Sequence, residues 1–529
     1  MKKISIVMLA AFTLGAISCK KVLDVSSYTS ITDETAFANA DRCLLALNGV
    51  YDAAQSGNYQ GGTEKRGYPF GAANIEQGDA RGEDVINIAS FYQITYQGTY
   101  NPTSANNVAM WDNAYAMINK ANIAIDGFKG AGTKGVIPAT TALQYEAECR
   151  FLRAMGHHEL LVHFARPYSD GNGTKVGIPY RDYAVNSSTA VQDLRKTPRM
   201  RVDSVYTRIL ADLDFAETNL PALQPGAAAV STYRATKAAA IALKMRIKMH
   251  TGDWAGVITE GNKLVPASGA FVSPIGAWTL NTAPDGAFTN NTSKENIFSV
   301  KNDALDAPSV NGGLAYMLGA TGLGGRGLVA VSPIIWNNST AWKCDDKRRT
   351  LMYVSGGNAN GGTSILTTKY KDYVNRSDYA PQIRYAEVLL TLAEAEARQA
   401  SGVSSRAVDL LNAVRNRSLA NPVADAYTVA SFADKVALVK SILMERRIEF
   451  LFEGKRWADI HRLATDATYG TGGIPAKAVN GAAGAAIYNC GGTYTPTQAA
   501  IPYSDFRFLW PIPADEVTQN PIVAQNPGY

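Results

Sequence analysis

Residues 445–462 read ERRIEFLFEGKRWADIHR, which combines dense charge with bulky aromatic side chains. Opposite charges recur three or four positions apart, in the pairs Arg446 with Glu449, Glu453 with Arg456, and Asp459 with Arg462. An exposed pair at this spacing stabilises a helix by only about 0.2–0.5 kcal/mol. Because Phe450, Leu451 and Trp457 are interleaved with the charges, neither face of the helix is plainly polar. We therefore expect a helix whose charges form a partly buried ionic network, which fixes geometry more than it adds stability.

Helical periodicity continues outward from this stretch through most of the chain. The predicted helices cover residues 33–54, 105–127, 140–165, 201–219, 234–251, 254–265, 382–400, 405–419 and 431–462. Within Tyr233–Leu264, alanines keep one helix thin, Gly252-Asp253 turns the chain, and Trp254 starts the next helix. Helix pairs joined by such short turns are typical of tetratricopeptide repeats. The sequence predicts a mainly α protein, a tetratricopeptide-like helical-hairpin scaffold with long irregular loops and a few short strands.

The segments between the helices are long and rich in Gly, Asn, Ser, Thr and aromatic residues. They cover residues 55–103, 166–200, 266–380 and 464–528. Loops of this length are uncommon in ordered domains unless they are functional. We expect a helical scaffold that presents a loop-built surface, and we do not divide it into successive domains.

Charge and length limit the classes of function. The chain has 529 residues, with 51 basic and 46 acidic side chains and a formal net charge of +5. No long basic run marks a nucleic-acid-binding face. The chain is long enough to bury a large core.

The N-terminus has the pattern of a secretory leader. Lys2 and Lys3 precede an apolar run over residues 4–17, which is too short to span a bilayer. Ala16-Ile17-Ser18-Cys19 then reads as a lipoprotein processing site, although Ala16 stands where a leucine is usual. We expect residues 1–18 to be a signal peptide and Cys19 to carry the lipid; the alternative is an ordinary secreted protein with a chance cysteine.

No pattern predicts a metal, a cofactor or a catalytic site. The remaining cysteines lack CxxC spacing, and Cys43 and Cys149 fall on apolar helical positions, where free buried thiols are expected. The disulfide state of Cys344 and Cys490 stays open. His158 and His163 are five residues apart, so they do not share a helix face as the ligands of a zinc-protease helix do.

Further motifs carry a family resemblance. The opening stretch is followed by LWPIP at 509–513 and QNPGY at 525–529, and this series resembles the C-terminal signature of the SusD/RagB family. Trp111-Asp112-Asn113-Ala114-Tyr115, residues 146–154 and residues 383–388 also match, in the expected order. Family members are outer-membrane nutrient-binding lipoproteins of the starch-utilisation-system type.

The resemblance implies one SusD-like domain over residues 19–529. Its helical scaffold would comprise about 33–54, 105–165, 201–265 and 382–462, its ligand-binding insertions about 55–103 and 266–380, and its C-terminal loop region 464–529. It also implies a partner, a SusC-like TonB-dependent transporter.

Sugar binding requires aromatic faces for stacking and planar polar groups for hydroxyl pairs. Side chains of these types in the loops give the candidate glycan-binding residues Asp79, Arg81, Tyr92, Tyr96, Trp278 and Trp336. The alternative is structural: the aromatic rings would seal the edge of the core, and Asp79 with Arg81 would brace the loop. Ligand residues in SusD-like proteins vary with the glycan, so the family motifs do not assign them.

The expected function is that of a non-catalytic lipoprotein, lipid-anchored in the cell outer membrane. It would bind a glycan or oligosaccharide at the cell surface and hand it to the SusC-like transporter. A binder of peptides, glycoproteins or another nutrient is the second hypothesis, and a glycoside hydrolase is the third. Lys20 and Lys21 follow Cys19 without an acidic run, so an inward-facing position is the alternative to surface display.

Overall fold

The computed structural model of the protein describes residues 33–56 and 67–529. The predicted signal peptide, residues 1–18, and the predicted lipid attachment site, Cys19, lie outside the described residues. In the described part of the chain, every helix is either too short or too polar to span a bilayer.

Nine long helices and one short helix of the C-terminal motif are labelled here. They are α1 (Ala40–Ser56), α2 (Ala105–Thr133), α3 (Ala139–Phe164), α4 (Val202–Asn219), α5 (Lys237–Thr251), α6 (Trp254–Leu264), α7 (Tyr385–Gln399), α8 (Ser405–Asn416), α9 (Lys435–Glu449) and the short α10 (Arg456–Arg462). Other short helices of the described residues cover Asp33–Ala36, Ala72–Ala80, Gln93–Gln97, Ser188–Leu194, Val230–Tyr233, Gly286–Thr289, Leu314–Leu318, Pro333–Trp336, Arg348–Leu351 and Ala514–Gln519. The predicted helices are confirmed, but the one over 33–54 is interrupted at 37–39, the one over 105–127 continues to Thr133, and the one over 431–462 is interrupted before α10.

Consecutive helices pack against one another from α1 to α7, and α7 also contacts α8 and α9. The α5–α6 pair shows why the chain turns where it does. Gly252 ends α5 at φ 72°, a left-handed conformation that glycine adopts without strain. Asp253 then caps α6 by accepting a hydrogen bond from the backbone N–H of Gly256 at 2.9 Å. The mainly α fold with helical hairpins is confirmed.

The strands are short and form antiparallel pairs. They are β1 (Val85–Asn87), β2 (Asn296–Val300), β3 (Val329–Val331), β4 (Tyr353–Gly357), β5 (Thr363–Thr367), β6 (Ala380–Arg384), β7 (Gly473–Ile474) and β8 (Ile501–Pro502). The pairs are β1 with β3, β2 with β6, β4 with β5, and β7 with β8. They lie in segments that the sequence predicts to be irregular, except that residues 382–384 of β6 fall at the start of the helix predicted over 382–400.

The predicted continuous helix over 431–462 is wrong, because the chain turns between α9 and α10. Phe452 and Gly454 have φ of 65° and 74°, which no right-handed helix allows. This turn packs on the short helix Ala72–Ala80, where the backbone of Gly454 approaches Gly78 and Ile75 closely. The turn therefore brings the C-terminal motif into contact with the short helix Ala72–Ala80, which comes much earlier in the chain.

The buried ionic network is confirmed, but most of its pairs are not those predicted. Asp459 with Arg462 is the predicted pair that forms, at 2.8 Å. The other charges reach partners distant in sequence: Glu449 pairs with Arg348, Arg384 and Arg417, Glu453 with Lys369 and Arg384, Arg446 with Asp459, and Arg456 with Glu83. Because α9 ends at Glu449, Glu453 and Arg456 do not share a helix face. Arg446 and Glu449 do lie on one helix, but Arg446 pairs with Asp459 and Glu449 with arginines of other segments.

The cysteines divide into two kinds. Cys43 and Cys149 are free and buried, as predicted. Cys344 and Cys490 form a disulfide with a Cα–Cα distance of 5.8 Å. This bond joins the segment after Trp342 to the C-terminal loop region.

Candidate functional site

Asp79 and Arg81 lie in the core, where they brace the C-terminal motif. Asp79 accepts a hydrogen bond from the backbone N–H of Gly454 at 3.3 Å, and burial raises the pKa of its carboxyl to about 7. The Arg81 guanidinium lies 3.3 Å from the ring centroid of Trp457 and donates to the carbonyl of Phe508 at 2.6 Å. These contacts favour a structural role for Asp79 and Arg81, in which they brace the loop, over direct glycan binding.

Tyr92, Tyr96 and Trp278 are also buried, with exposed fractions of 1%, 1% and 2%. The Tyr96 hydroxyl donates to the carbonyl of Ala478 at 2.7 Å, and the Lys477 ammonium lies 4.5 Å from its ring. Contact with a glycan would require these side chains, like Asp79 and Arg81, to leave the core. The expectation that they bind the ligand directly is therefore at odds with their burial.

Trp336 is half-buried, and one of its faces is already occupied. The Arg349 guanidinium lies 4.4 Å from its centroid, and Trp342 packs edge-on at 5.3 Å. Its role in ligand binding stays a prediction.

The structure has a different open pocket, of about 440 Å³, at the junction of the helices and the loops. We call it the tyrosine pocket. It is lined by Leu44, Asn48, Tyr51, Asp52 and Gln55 of α1, by Pro225, Val230, Tyr233 and Arg234, and by Val300, Lys301, Asp303 and Asp306 after β2. Its volume lies within the range of small-molecule sites in proteins.

Tyr51 is held in a fixed orientation at the pocket wall. Its hydroxyl donates to the Glu148 carboxylate at 2.7 Å and accepts from the backbone N–H of Ala235 at 2.9 Å. Arg234 also pairs with Glu148, through Nε at 2.9 Å. Burial, followed by the Glu148 charge, raises the pKa of Tyr51 well above its ordinary value, so the hydroxyl stays a neutral donor.

Tyr233 provides a second ring. It is half-buried, and Tyr379 supports it edge-on at 6.3 Å. The Lys301 ammonium lies 5.2 Å from the Tyr233 centroid and forms an ion pair with Asp303 at 2.7 Å. An aromatic ring, an ammonium and a carboxylate therefore occupy one side of the pocket.

Gln55 ties the loop after β2 to α1. Its Nε2 lies 3.1 Å from the Lys301 carbonyl and 2.8 Å from the Asp306 carbonyl. Asp303 closes the same loop by accepting from the backbone N–H groups of Leu305 and Asp306. These bonds hold the polar side of the pocket in a fixed position beside the tyrosines before any ligand binds.

The tyrosine pocket has the two components that sugar recognition requires. Tyr51 and Tyr233 offer ring surface with a polar tip, and Asp52, Lys301 and Asp303 offer charged partners for hydroxyl groups. Tyr51 and Asp52 were not among the predicted candidates, because the candidates were side chains of loops and these two residues lie on α1. Lys301 and Asp303 lie in a predicted loop, but no aromatic side chain next to them in sequence marks the site. The available signal was the polar series Asn48, Asp52 and Gln55, spaced three or four residues apart on a helix that is mostly apolar after Arg42.

Across residues 33–56 and 67–529, no group of three or more His, Cys, Asp or Glu side chains is arranged to hold a metal ion. His158 and His250 are near neighbours, with ring centroids 4.6 Å apart. Burial lowers the pKa of His158 to about 4, so this imidazole is neutral near pH 7.

The fold is a helical-repeat scaffold that carries an open pocket lined by aromatic and polar side chains, an arrangement suited to a binding protein. Two family models match it: one described as SusD family over residues 334–529, and one described as starch-binding associating with outer membrane over residues 23–249. The chain belongs to the SusD/RagB family. This is a family of non-catalytic, outer-membrane-associated proteins that bind starch or other carbohydrates.

Individual relatives agree with this assignment. SusD-like protein P2 of Formosa agariphila is 27% identical over 468 residues, covering 80% of this chain and 80% of the relative. SusD-like protein P38 of the same organism is 26% identical, covering 87% of this chain and 91% of the relative. A crystal structure of a SusD superfamily protein from Bacteroides fragilis superposes with a TM-score of 0.73 at 26% identity, covering 92% of this chain and 99% of that one.

Proposed function

We propose that the protein captures a glycan or oligosaccharide in the tyrosine pocket and passes it, unaltered, to a SusC-like TonB-dependent transporter. The observation that carries the binding step is the pocket itself: about 440 Å³ lined by two oriented tyrosines and by charged groups. The family's association with carbohydrate and with the outer membrane supports the choice of ligand. In this proposal residues 19–529 act as one domain.

The pocket is suited to capture because its walls are fixed by contacts that a ligand does not need to break. Tyr51 is held by Glu148, and the loop of Lys301 and Asp303 is held by Gln55. A preformed site loses less conformational entropy on binding, so more of the contact energy appears as affinity. Because the glycan is passed on unaltered, no residue of the pocket is expected to act as the general acid or the second carboxylate that glycosidic cleavage needs.

Affinity electrophoresis against a panel of polysaccharides tests the binding step. Tyr233→Ala removes a half-buried ring from the pocket. We expect it to weaken binding to the polysaccharide that retards the wild type by at least about tenfold. Tyr427→Ala is the matched control, because Tyr427 is also half-buried but packs against Arg415 and Phe432. Equal retardation of the wild type and of Tyr233→Ala would show that the tyrosine pocket is not the glycan-binding site. A blank glycan panel beside a positive peptide pull-down would instead favour a peptide or glycoprotein ligand.

We also propose that a lipid on Cys19 anchors the protein in the outer membrane with its pocket facing outward. The support is the leader pattern of residues 1–19, together with the family's outer-membrane association. Stable anchoring requires more than one acyl chain, which a diacylglycerol thioether supplies. We expect wild-type protein in the outer-membrane fraction and Cys19→Ala in the soluble fraction.

Two further observations test the orientation and the delivery step. Protease treatment of intact cells should degrade the protein if it faces outward, and protection would reverse the proposed orientation. Affinity purification from membranes in mild detergent should recover a TonB-dependent barrel protein. Recovery of the protein alone, under conditions that keep known barrel complexes intact, would count against delivery to such a transporter.

A further inference from the structure

The face of α1 that lines the tyrosine pocket changes from apolar to polar along the helix. Leu44, Asn48, Tyr51 and Gln55 are spaced three or four residues apart, so they follow one another on a single helix face. At a rise of about 1.5 Å per residue, roughly 16 Å of helix separate Leu44 from Gln55. Gln55 binds the polar loop of Lys301, whereas Leu44 presents only an alkyl side chain. The pocket therefore has a polar end and an apolar end.

Pro225 and Val230 add alkyl surface to the lining of the pocket. Pro225 is exposed, Val230 is half-buried, and Leu44 has an exposed fraction of 37%. Their segment is held to α3 by Gln224, whose side-chain carbonyl accepts a hydrogen bond from Gln144 at 2.8 Å. This alkyl surface is therefore open to a ligand, and the fold holds it in position.

Asn48 places a hydrogen-bonding group beside the apolar end. It lies one helical turn after Leu44, and its side chain is exposed in the pocket. Among residues 33–56 and 67–529, its side-chain amide takes part in no hydrogen bond. An amide carries two N–H donors as well as an acceptor oxygen. The apolar end of the pocket thus has an unused donor next to its alkyl surface.

This combination suits an acyl ester better than a plain sugar hydroxyl. A hydroxyl group that faces alkyl side chains loses hydrogen bonds with water and gains none in return. The methyl group of an O-acetyl ester is instead favoured by burial against the same side chains. The ester carbonyl can accept a hydrogen bond from an amide N–H.

We propose that the tyrosine pocket selects O-acylated sugars, with the acyl group against Leu44 and the ester carbonyl on the Asn48 amide. The hydroxyl groups of neighbouring sugar units face Lys301 and Asp303 at the polar end. The inference rests on the proposed function, because it takes the tyrosine pocket to be the glycan site. It assigns a substrate class to that site, namely glycans that carry ester-linked acetyl groups.

Oligosaccharides that differ only in their acetyl groups test this inference. Titration calorimetry compares acetylated xylo-oligosaccharides and acetylated manno-oligosaccharides with portions of the same samples deacetylated by mild alkali. We expect the wild type to bind at least one acetylated sample at least about tenfold more tightly than its deacetylated portion. Leu44→Ser and Asn48→Ala should each reduce this preference to about threefold or less. Both should leave the affinity for the deacetylated portion unchanged.

Leu45→Ser is the matched control. Leu45 is the next residue of α1, has an exposed fraction of 66% and does not line the pocket. Its substitution changes helix propensity by the same amount as Leu44→Ser and should keep the full preference. Tyr233→Ala should weaken the binding of both forms while keeping their ratio. Thermal unfolding of each variant checks that the fold is intact.

The outcomes separate this inference from the proposed function. Equal affinity of the wild type for the two forms of each sample, or binding to none of them, would overturn acyl selection. So would a preference that Leu44→Ser leaves intact. If Tyr233→Ala still abolishes binding of an unacylated glycan, the tyrosine pocket remains the glycan site and only the acyl selection fails. Glycan binding that Tyr233→Ala does not weaken would instead remove the pocket from the proposed function.

Discussion

At the scale of single residues, Glu449 lies where the buried network is densest. Its carboxylate accepts hydrogen bonds from Arg348, Arg384 and Arg417 at 3.1, 2.9 and 2.7 Å. Burial raises the pKa of this carboxyl, but the neighbouring guanidinium charges outweigh burial and hold the pKa well below its ordinary value. Glu449 is therefore ionised whenever the protein is folded near neutral pH.

Glu449→Ala should lower the free energy of unfolding by about 3–5 kcal/mol, because three guanidinium groups lose a shared buried partner. The folded fraction should keep its ligand affinity, since Glu449 does not line the tyrosine pocket. A carboxyl whose pKa is lower in the folded than in the unfolded protein stabilises the fold at any pH above its unfolded-state pKa. This contribution is lost as the pH falls through the folded-state pKa. The difference from wild type in chemical denaturation should therefore shrink below about pH 4.

Lys196→Ala is the control for this substitution, because its ion pair with Asp193 is exposed and should contribute at most about 1 kcal/mol. A Glu449→Ala protein with wild-type stability and weakened binding would place function in the C-terminal motif instead.

The pKa shift of Asp79 on folding has the opposite sign to that of Glu449. Burial raises its folded pKa to about 7, above the ordinary value, so ionising it costs the folded state more than the unfolded state. Wild-type stability should therefore fall relative to Asp79→Asn as pH rises from about 4 to 7. The amide introduced by this substitution would keep an oxygen acceptor for the Gly454 N–H. Parallel stability curves for the two proteins over this range would contradict the buried, uncompensated carboxyl.

At the scale of elements, the turn between α9 and α10 depends on two glycines. A Cβ built on Gly78 would lie 2.3 Å from the carbonyl oxygen of Gly454, which is backbone and cannot move aside cheaply. Gly78 thus permits the helix Ala72–Ala80 to touch the turn directly.

Gly78→Ala should accordingly destabilise the protein by at least about 1–3 kcal/mol, the usual cost of overpacking. Gly130→Ala is a matched helical control: no atom outside its own helix lies within 4 Å of the new Cβ, and alanine favours helix by up to about 1 kcal/mol. Thermal denaturation would compare the two variants. A Gly78→Ala melting temperature equal to that of Gly130→Ala would show that the close contact is absent in solution.

The helices were predictable because the spacing of apolar residues along a segment is a local property of the sequence. The helices α3 to α8 match the expected ranges closely, whereas α2 continues past the expected end to Thr133. The break at 450–455 was not predictable, because the charges there suit a helix and the turn is favoured by contacts with residues distant in sequence, among them Gly78, Ile75 and Asp79. The same limit applies to Asp79, Arg81 and the aromatic candidates. Their residue types suit a sugar site, but burial depends on the distant segments that pack over them.

At the scale of the whole molecule, one covalent bond crosses the loop-built region. Cys344 and Cys490 are 146 residues apart in sequence, and the backbone N–H of Gly491 also donates to the Asn337 carbonyl at 2.9 Å. The bond therefore restrains two long segments that have few regular elements of their own.

The double variant Cys344→Ser/Cys490→Ser should lose about 2–4 kcal/mol of stability, since the unfolded chain regains the freedom of a long closed loop. Chemical denaturation measures this loss, and reductant should reproduce it in the wild type but leave the variant unaffected. Binding in the tyrosine pocket should survive, because neither cysteine lines it. A variant as stable as the wild type would show that the bond adds nothing to the fold.

Binding in the tyrosine pocket is the central claim, and a crystal structure with an oligosaccharide selected from the glycan panel tests it most directly. The account predicts a sugar ring against Tyr233, with hydroxyl groups within hydrogen-bond distance of Asp52 or Asp303. Saccharide density bound elsewhere, with the tyrosine pocket holding only solvent, would contradict it.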